Sequence, residues 1–220
     1  MKISISELFD LDKTISKDYL SCFEEPWHAL IGIKEYISTL GKLLSKDRYE
    51  EISQNIWVAK SASISPAAHI GNYCIIDECA EIRHGAFIRG SAIVGKGAVV
   101  GNSTELKNCI LFDKVQAPHF NYVGDSILGY KAHLGAGAVT SNVKSDKSPV
   151  SIKTDSCKIE TGLKKFGAIV GDYSEIGCNT VLCPGTVLGR NVTVYPTSMV
   201  RGYIQENSIF KGDGTVVIKE

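Results

Sequence analysis

Aliphatic side chains recur at every sixth position over much of this chain, and that period excludes most folds. The series is Val58, Ile64, Ile70, Ile76, Ile82, Ile88, Val94, Val100 and Leu106, and it resumes as Val170, Ile176, Leu182, Leu188, Val194 and Val200. A helix requires a period near ~3.6 and a half-buried strand a period of ~2, so neither explains the spacing. A chain that turns a corner every six residues does explain it. The pattern predicts an all-β solenoid, a parallel β-helix with three flat faces.

Residues beside the aliphatic series indicate how the coils are shaped and covered. A small residue stands two positions before most of the aliphatic ones, as at Ala62 and Ala80, and fits where the chain bends. Apolar residues also occur at outward positions, for example Ile75, Phe87 and Val99. Outward apolar side chains favour packing against copies of the same chain, so we expect an oligomer.

Composition limits the possible partners and compartment. The 220 residues carry 24 acidic and 24 basic side chains, so a nucleic-acid partner is not expected. None of the seven cysteines forms a CxxC pair. The start, MKISISELFD, lacks the apolar run of a signal peptide, and no segment has the length and apolarity of a membrane span. We expect a cytoplasmic protein with reduced thiols and no membrane partner.

Residues 1–55 do not follow the six-residue period. Leu30, Ile33, Ile37, Leu40 and Leu44 have helical spacing, which predicts a helix from about Pro26 to Ser45. We interpret 1–55 as a helical N-terminal cap over the open end of a β-helix formed by 56–220. The alternative is a binding or docking element.

The period slips between Leu106 and Leu128 and is lost over Ser141 to Lys165. A non-repeating segment inside a solenoid must be extruded, so we predict a loop at about 142–165, a kind of segment that is often functional. Near the end, Val216 to Ile218 is predicted to form a strand that closes the last coil or pairs along its side.

The most unusual polar residues follow Val100, and their spacing carries a specific resemblance. The pattern begins with Gly101-Asn102, Glu105 and Lys107, and His119 lies twelve residues after Lys107. It continues with Tyr122, Gly124-Asp125, Gly135-Ala136-Gly137 and Asn142. Arg89 lies upstream of this stretch and Lys165-Phe166 downstream of it. Over about residues 58–205 the chain resembles the hexapeptide-repeat acyltransferases. The similarity is greatest to the glucosamine-1-phosphate N-acetyltransferase domain of the bifunctional UDP-N-acetylglucosamine pyrophosphorylase/acetyltransferase.

This resemblance implies a left-handed β-helix, a homotrimer, acetyl-CoA as co-substrate and an amino-sugar 1-phosphate, glucosamine-1-phosphate or galactosamine-1-phosphate, as acceptor. It implies His119 as the general base, a role that suits an imidazole, because an unperturbed pKa near ~6.5 allows it to accept a proton near neutral pH. An N–H of the Gly135–Gly137 turn would stabilise the oxyanion. The implied substrate-binding residues are Arg89, Lys107, Tyr122, His133, Asn142 and Lys165. Those implied for the coenzyme are Ala136, Gly137, Cys178 and Pro196.

Three departures from the family pattern put the acceptor in question. His133 stands where the family has an Asn that contacts the amino sugar, Val143 replaces a Tyr, and the loop from Val143 to Lys164 is longer. The nucleotidyltransferase part of the bifunctional enzyme has no counterpart in residues 1–55, so we expect no pyrophosphorylase activity from this chain alone.

Two other functions remain open at this point. One is a non-catalytic trimeric module that binds a sugar nucleotide or acts as a scaffold, which His133 and Val143 favour. The other is a metal hydratase that resembles γ-type carbonic anhydrase. Such a site needs three histidines, two of them five residues apart. The five histidines contain no such pair, so no metal is expected.

Overall fold

The computed structural model describes residues 3–220 and consists of parallel coils stacked along one axis. The predicted fold class, an all-β solenoid that forms a left-handed parallel β-helix, is confirmed, and the N-terminal residues contain short helices. The predicted aliphatic series from Val170 to Val200 points inward, and each member is at most 2% exposed. The division into domains at residue 55 stays a prediction.

Each coil has three faces, and equivalent strands of successive coils pair in parallel. The first face contains Ile56–Ala59, Cys74–Ile76, Ala168–Val170, Thr186–Leu188 and Tyr203–Ile204. The second contains Ser63–Ile64, Glu81–Ile82, Val99–Asn102, Gln116–His119, His133–Leu134, Glu175–Ile176, Thr193–Val194 and Ser208–Phe210. The third contains His69–Ile70, Val139–Thr140, Val181–Leu182 and Met199–Val200. Three longer strands run from the third face onto the first: Phe87–Val94, Glu105–Leu111 and Tyr122–Leu128.

Two antiparallel strands flank the two ends of the stack. Tyr49–Ser53 pairs with Ile56–Ala59 at the start. Val216–Ile218 pairs with Ser208–Phe210 at the end, which confirms the predicted C-terminal strand.

The period slips between Leu106 and Leu128, as the sequence indicated, but the coils continue without interruption. Val94, Leu111 and Leu128 are partners in adjacent coils, and so are Leu106 and Val123. The steps from Leu106 to Leu111 and from Val123 to Leu128 are each five residues instead of six. The chain therefore loses one residue at the same corner, between the third and first faces, in two successive coils.

The N-terminal segment lies along the first face, so the interpretation as a cap over an open end is wrong. Its helices and turns are Ile5–Leu8, Leu11–Lys13, Lys17–Leu20, Pro26–Leu30 and Ile33–Leu43. The last of these reaches Trp57 in the first coil through Gly41, whereas the Ser6 carbonyl accepts a hydrogen bond from Arg190 near the other end. The segment therefore crosses most of the stack.

An outward column of apolar residues on the first face explains this course. Its paired members are Trp57, Ile75, Ile93, Ile110, Ile127, Ile169 and Val187, each at most 5% exposed. The expectation that Ile75 faces another copy is therefore wrong, because the chain's own N-terminal segment covers it. Phe87 on the third face is 41% exposed.

The predicted single helix from Pro26 to Ser45 is interrupted. Pro26–Leu30 is a 3-10 helix, and a separate α-helix spans Ile33–Leu43. Gly32 lies at the N-cap of that α-helix, beside the hydroxyl of Tyr19. Glycine disfavours a continuous helix because of its conformational entropy, so the two pieces meet at this residue.

Candidate active site

The shortened corners bring together most of the sugar-phosphate residues implied by the motif. One short corner contains Lys107 and Asn108, and the next contains Gly124 and Asp125. Asn108 and Asp125 have φ values of 50° and 47°, a left-handed conformation that Asn and Asp adopt more readily than most residues. The loss of one residue therefore places polar side chains where the rest of the solenoid has a longer turn.

Asp125 is the centre of this cluster. It is only 4% exposed, and its carboxylate accepts hydrogen bonds from three side chains. The donors are Lys107 Nζ at 3.2 Å, Asn108 Nδ2 at 2.9 Å and Asn142 Nδ2 at 2.5 Å. Because these donors satisfy a buried charge, Asp125 fixes the positions of Lys107 and Asn142.

Arg89 and Tyr122 lie at the rim of the same cluster, on the third face. Arg89 donates a hydrogen bond to Glu105 at 2.8 Å, and Glu105 is paired in register with Tyr122. The Tyr122 hydroxyl accepts a hydrogen bond from Asn142 Nδ2 at 3.2 Å. Burial, and then the negative charges of Asp125 and Glu105, raise the pKa of Tyr122, so its phenol stays protonated at neutral pH.

His119 lies on a different corner, between the second and third faces. It is exposed and pairs with Asn102 in the preceding coil. The strand registers place Ala136, Cys178 and Pro196 at the equivalent position of the following coils. His119 and three of the implied coenzyme residues therefore form one column parallel to the solenoid axis.

The turn next to His119 leaves one amide N–H without an acceptor among residues 3–220. The Gly137 amide donates to the His119 carbonyl at 3.1 Å, and the Gly135 amide donates to the Ile176 carbonyl at 2.7 Å. Within residues 3–220 the Ala136 amide has no hydrogen-bond acceptor. Of the three amides that the motif implied as oxyanion donors, that of Ala136 is the one left available.

The remaining implied residues lie apart from the Asp125 cluster or at its edge. His133 lies on the second face, where its Nδ1 is 2.8 Å from Glu175 Oε2, and a single chain does not bring it to Arg89. Lys165 is exposed, and its neighbour Phe166 donates its backbone N–H to the Asn142 carbonyl at 3.0 Å. Lys165 therefore stands at the edge of the cluster.

Sequence reasoning missed the roles of four residues. Glu105 and Asp125 were part of the motif but had no role assigned, and Asn108 was not noticed. Asn121 was also missed, although its buried amide donates to the Gly135 and Ala138 carbonyls and so shapes the turn at Ala136. The sequence did contain a signal for the carboxylates, because an acidic residue follows each cation after about one coil, as Asp125 follows Lys107.

Two further findings concern the chain beyond this site. All seven cysteines are free thiols. Among residues 3–220, no helix has the length and apolar character required to span a membrane.

Comparisons with known proteins show what the chain is similar to. The family model described as the GMPPB C-terminal domain matches residues 70–164. A bifunctional protein GlmU from Methanococcus maripaludis is 29% identical over 93% of this chain and 50% of its own length. The predicted resemblance to the hexapeptide-repeat acyltransferases is confirmed.

A second curated relative and a solved structure are also similar to this chain over most of its length. A bifunctional sugar-1-phosphate nucleotidylyltransferase/acetyltransferase from Sulfurisphaera tokodaii is 26% identical over 96% of this chain and 57% of its own length. The chain thus spans about half the length of these two curated relatives. Among solved structures, WeeI from Acinetobacter baumannii AYE is 15% identical, with a TM-score of 0.41 and coverage of 85% of this chain and 68% of that one.

Proposed function

We propose that this protein is an acetyl-CoA-dependent N-acetyltransferase that acts on an amino-sugar 1-phosphate. The acceptor would be glucosamine-1-phosphate or galactosamine-1-phosphate. The observation that carries the proposal is the cluster of Arg89, Lys107, Tyr122 and Asn142 around the buried Asp125. Four residues that were implied separately as sugar-phosphate ligands thus lie on one corner and the adjoining face.

In the proposed reaction, the amine nitrogen of the sugar attacks the thioester carbonyl of acetyl-CoA. An amide forms as the C–S bond breaks and the coenzyme leaves as a thiolate. His119 accepts the proton that the amine loses, a contribution of about 10²–10⁴-fold, and the resulting imidazolium returns that proton to the thiolate. The Ala136 amide donates to the developing oxyanion, because it is the unengaged N–H in the turn beside His119.

The phosphate of the acceptor would bind to Arg89 and Lys107. Each cation is oriented by a carboxylate, and Arg89 is 49% exposed, so its guanidinium has free donors for a phosphate oxygen. The protonated Tyr122 hydroxyl supplies a further donor. Asn142 and Lys165 would position the sugar and its phosphate from the edge of the loop.

The histidine and the cation cluster lie on different corners of one chain, and both face solvent. A second copy would enclose the substrate between subunits, as expected for a homotrimer with its coenzyme along the column of Ala136, Cys178 and Pro196. Phe87, Val181 and Met199 on the third face are at least 36% exposed and offer apolar surface for that contact. A cytoplasmic location stays a prediction from the sequence, as does the lack of pyrophosphorylase activity.

One observation favours a second candidate, a non-catalytic module that binds a sugar nucleotide or acts as a scaffold. His133 stands where the family has an Asn, and it is held by Glu175 at 2.8 Å on the second face. A ring held in this way does not offer the amide that an amino sugar would meet in the family.

The test is thiol release from acetyl-CoA with a panel of amino-sugar phosphates. We expect turnover by the parent and a loss of about 10²-fold or more in kcat for His119→Ala. His84→Ala is the matched control, because His84 is an exposed histidine in the same corner column. Equal turnover of the two variants would eliminate His119 as the base, and a folded parent inactive on the whole panel would favour the binding module.

A further inference from the structure

The extruded segment does not extend away from the solenoid but packs on its last coils. Ser151–Lys153 and Lys158–Glu160 form an antiparallel hairpin, and Val150 and Ile152 are fully buried. The docking depends on Gly202, whose φ is 76° and where an added Cβ would lie 2.3 Å from the Lys153 carbonyl oxygen. The hairpin is therefore fixed against the chain's own C-terminal coils.

This docking creates a cleft of about 700 Å³ between the hairpin and the last coils. Its volume falls within the range of about 300–1,000 Å³ that is typical of small-molecule sites. Lys153, Thr154 and Ser156 contribute from the hairpin, and Arg201 contributes from the opposite wall. None of the residues of the proposed acetyltransferase site lines this cleft.

The walls of the cleft are cationic and rich in donors. Within residues 3–220, neither Lys153 nor Arg201 forms an ion pair, whereas Lys144 and Lys158 of the same segment do. Asp155 is the acidic residue among the lining, so the two cations leave a net positive charge. The two unpaired cations and the Ser156 hydroxyl are donors that suit a phosphate group, whereas the Thr154 hydroxyl already donates to the Cys157 carbonyl at 3.0 Å.

The floor of the cleft is apolar and partly aromatic. Phe210 and Ile204 are 8% and 6% exposed, and Tyr203, which also lines the cleft, is half-buried. Burial raises the pKa of Tyr203, so this ring carries no charge near neutral pH. A planar ring can pack on such a floor while its attached phosphates reach the wall.

We infer that this cleft is a second ligand site, which binds a small molecule that joins a diphosphate to a planar ring, as a nucleoside diphosphate does. The phosphates contact Lys153 and Arg201, and the base lies on Tyr203 and Phe210. The inference goes beyond the proposed acetyl transfer and does not rest on it. Pyrimidine and purine ligands share this chemistry, so the experiment includes both.

The experiment is titration calorimetry of the full chain with uridine diphosphate, adenosine diphosphate and inorganic pyrophosphate. We expect at least one nucleotide to bind at least tenfold more tightly than pyrophosphate, because only the nucleotides reach the aromatic floor. Arg201→Gln and Lys153→Gln should each weaken that binding about tenfold or more. Lys147→Gln, an exposed lysine of the same segment, is the charge-matched control and should bind like the parent.

His119→Ala should also bind the nucleotide like the parent, which separates this site from the proposed active site. Circular dichroism and melting curves verify that each variant is folded. The proposal is overturned if neither nucleotide binds at millimolar concentration, if Arg201→Gln and Lys153→Gln bind as tightly as the parent, or if pyrophosphate binds as well as the nucleotides.

Discussion

Replacing Asp125 by Asn tests whether a buried carboxylate organises the candidate site. Asn tolerates the φ of 47° at this position and has nearly the same size, so the substitution removes mainly charge. The amide cannot accept from Lys107, Asn108 and Asn142 together, since one of its two terminal atoms is a donor.

The expected loss of stability follows from the burial of the two partners. Breaking a buried ion pair by removing one partner costs about 3–5 kcal/mol. The Lys107 side chain is 26% exposed and regains part of its hydration, so we expect the lower end, about 3 kcal/mol. The control is Glu105→Gln, which breaks the Arg89 pair, where the side chains are 49% and 32% exposed. An exposed pair of this kind contributes about 0–1 kcal/mol.

The assay is denaturant unfolding at one fixed protein concentration, followed by tryptophan fluorescence. Trp27 and Trp57 are at most 5% exposed and will report the loss of packing. The reasoning is refuted if Asp125→Asn unfolds at the same midpoint and slope as the parent, or if Glu105→Gln loses the larger free energy.

Two further predictions concern the N-terminal segment and pH. Ile93→Ala, in the apolar column that the N-terminal segment covers, should lower the free energy of unfolding by about 2–5 kcal/mol. Val181→Ala, on the open third face, should lower it by under about 1 kcal/mol. Equal losses would mean that the N-terminal segment does not seal the first face. Burial raises the pKa of Asp113 from 3.8 to about 6, so the unfolded chain loses this proton at a lower pH than the folded one, and the free energy of unfolding should fall as pH rises from about 3.8 to about 6. Melting curves of Asp113→Asn should lack this fall. A pH profile identical to that of the parent would contradict the assignment.

The inward face of the solenoid could be predicted from sequence because its period is strict. Ile82 and Val194, for example, are buried where the six-residue series placed them. The series could not reveal the coils between Leu106 and Leu128, since each five-residue step shifts the phase of the period by one residue. Those steps contain Lys107 and Asp125, so the region that deviates from the repeat is also the one that forms the site.

The outward contacts could not be predicted, because they depend on residues far apart in the chain. Ile75 points outward from its strand, and nothing in the sequence indicates what covers it. Its burial is explained by the path of residues 3–44 across the first face. The ion pair of Lys107 and Asp125 joins adjacent coils through 18 residues of chain. The motif contained Glu105 and Asp125, but it did not reveal that these two carboxylates hold the cations of the cluster.

Acetyl transfer to phosphorylated and unphosphorylated amino sugars, measured by mass spectrometry with the purified parent, tests the central claim most directly. Because Arg89 and Lys107 are assigned to the phosphate, we predict that kcat/KM for glucosamine-1-phosphate or galactosamine-1-phosphate exceeds that for the free sugar by about tenfold or more. In Arg89→Gln this preference should shrink while the free sugar reacts as before. Acetylation that is indifferent to the phosphate, or no acetylated product from the folded protein, would contradict the account.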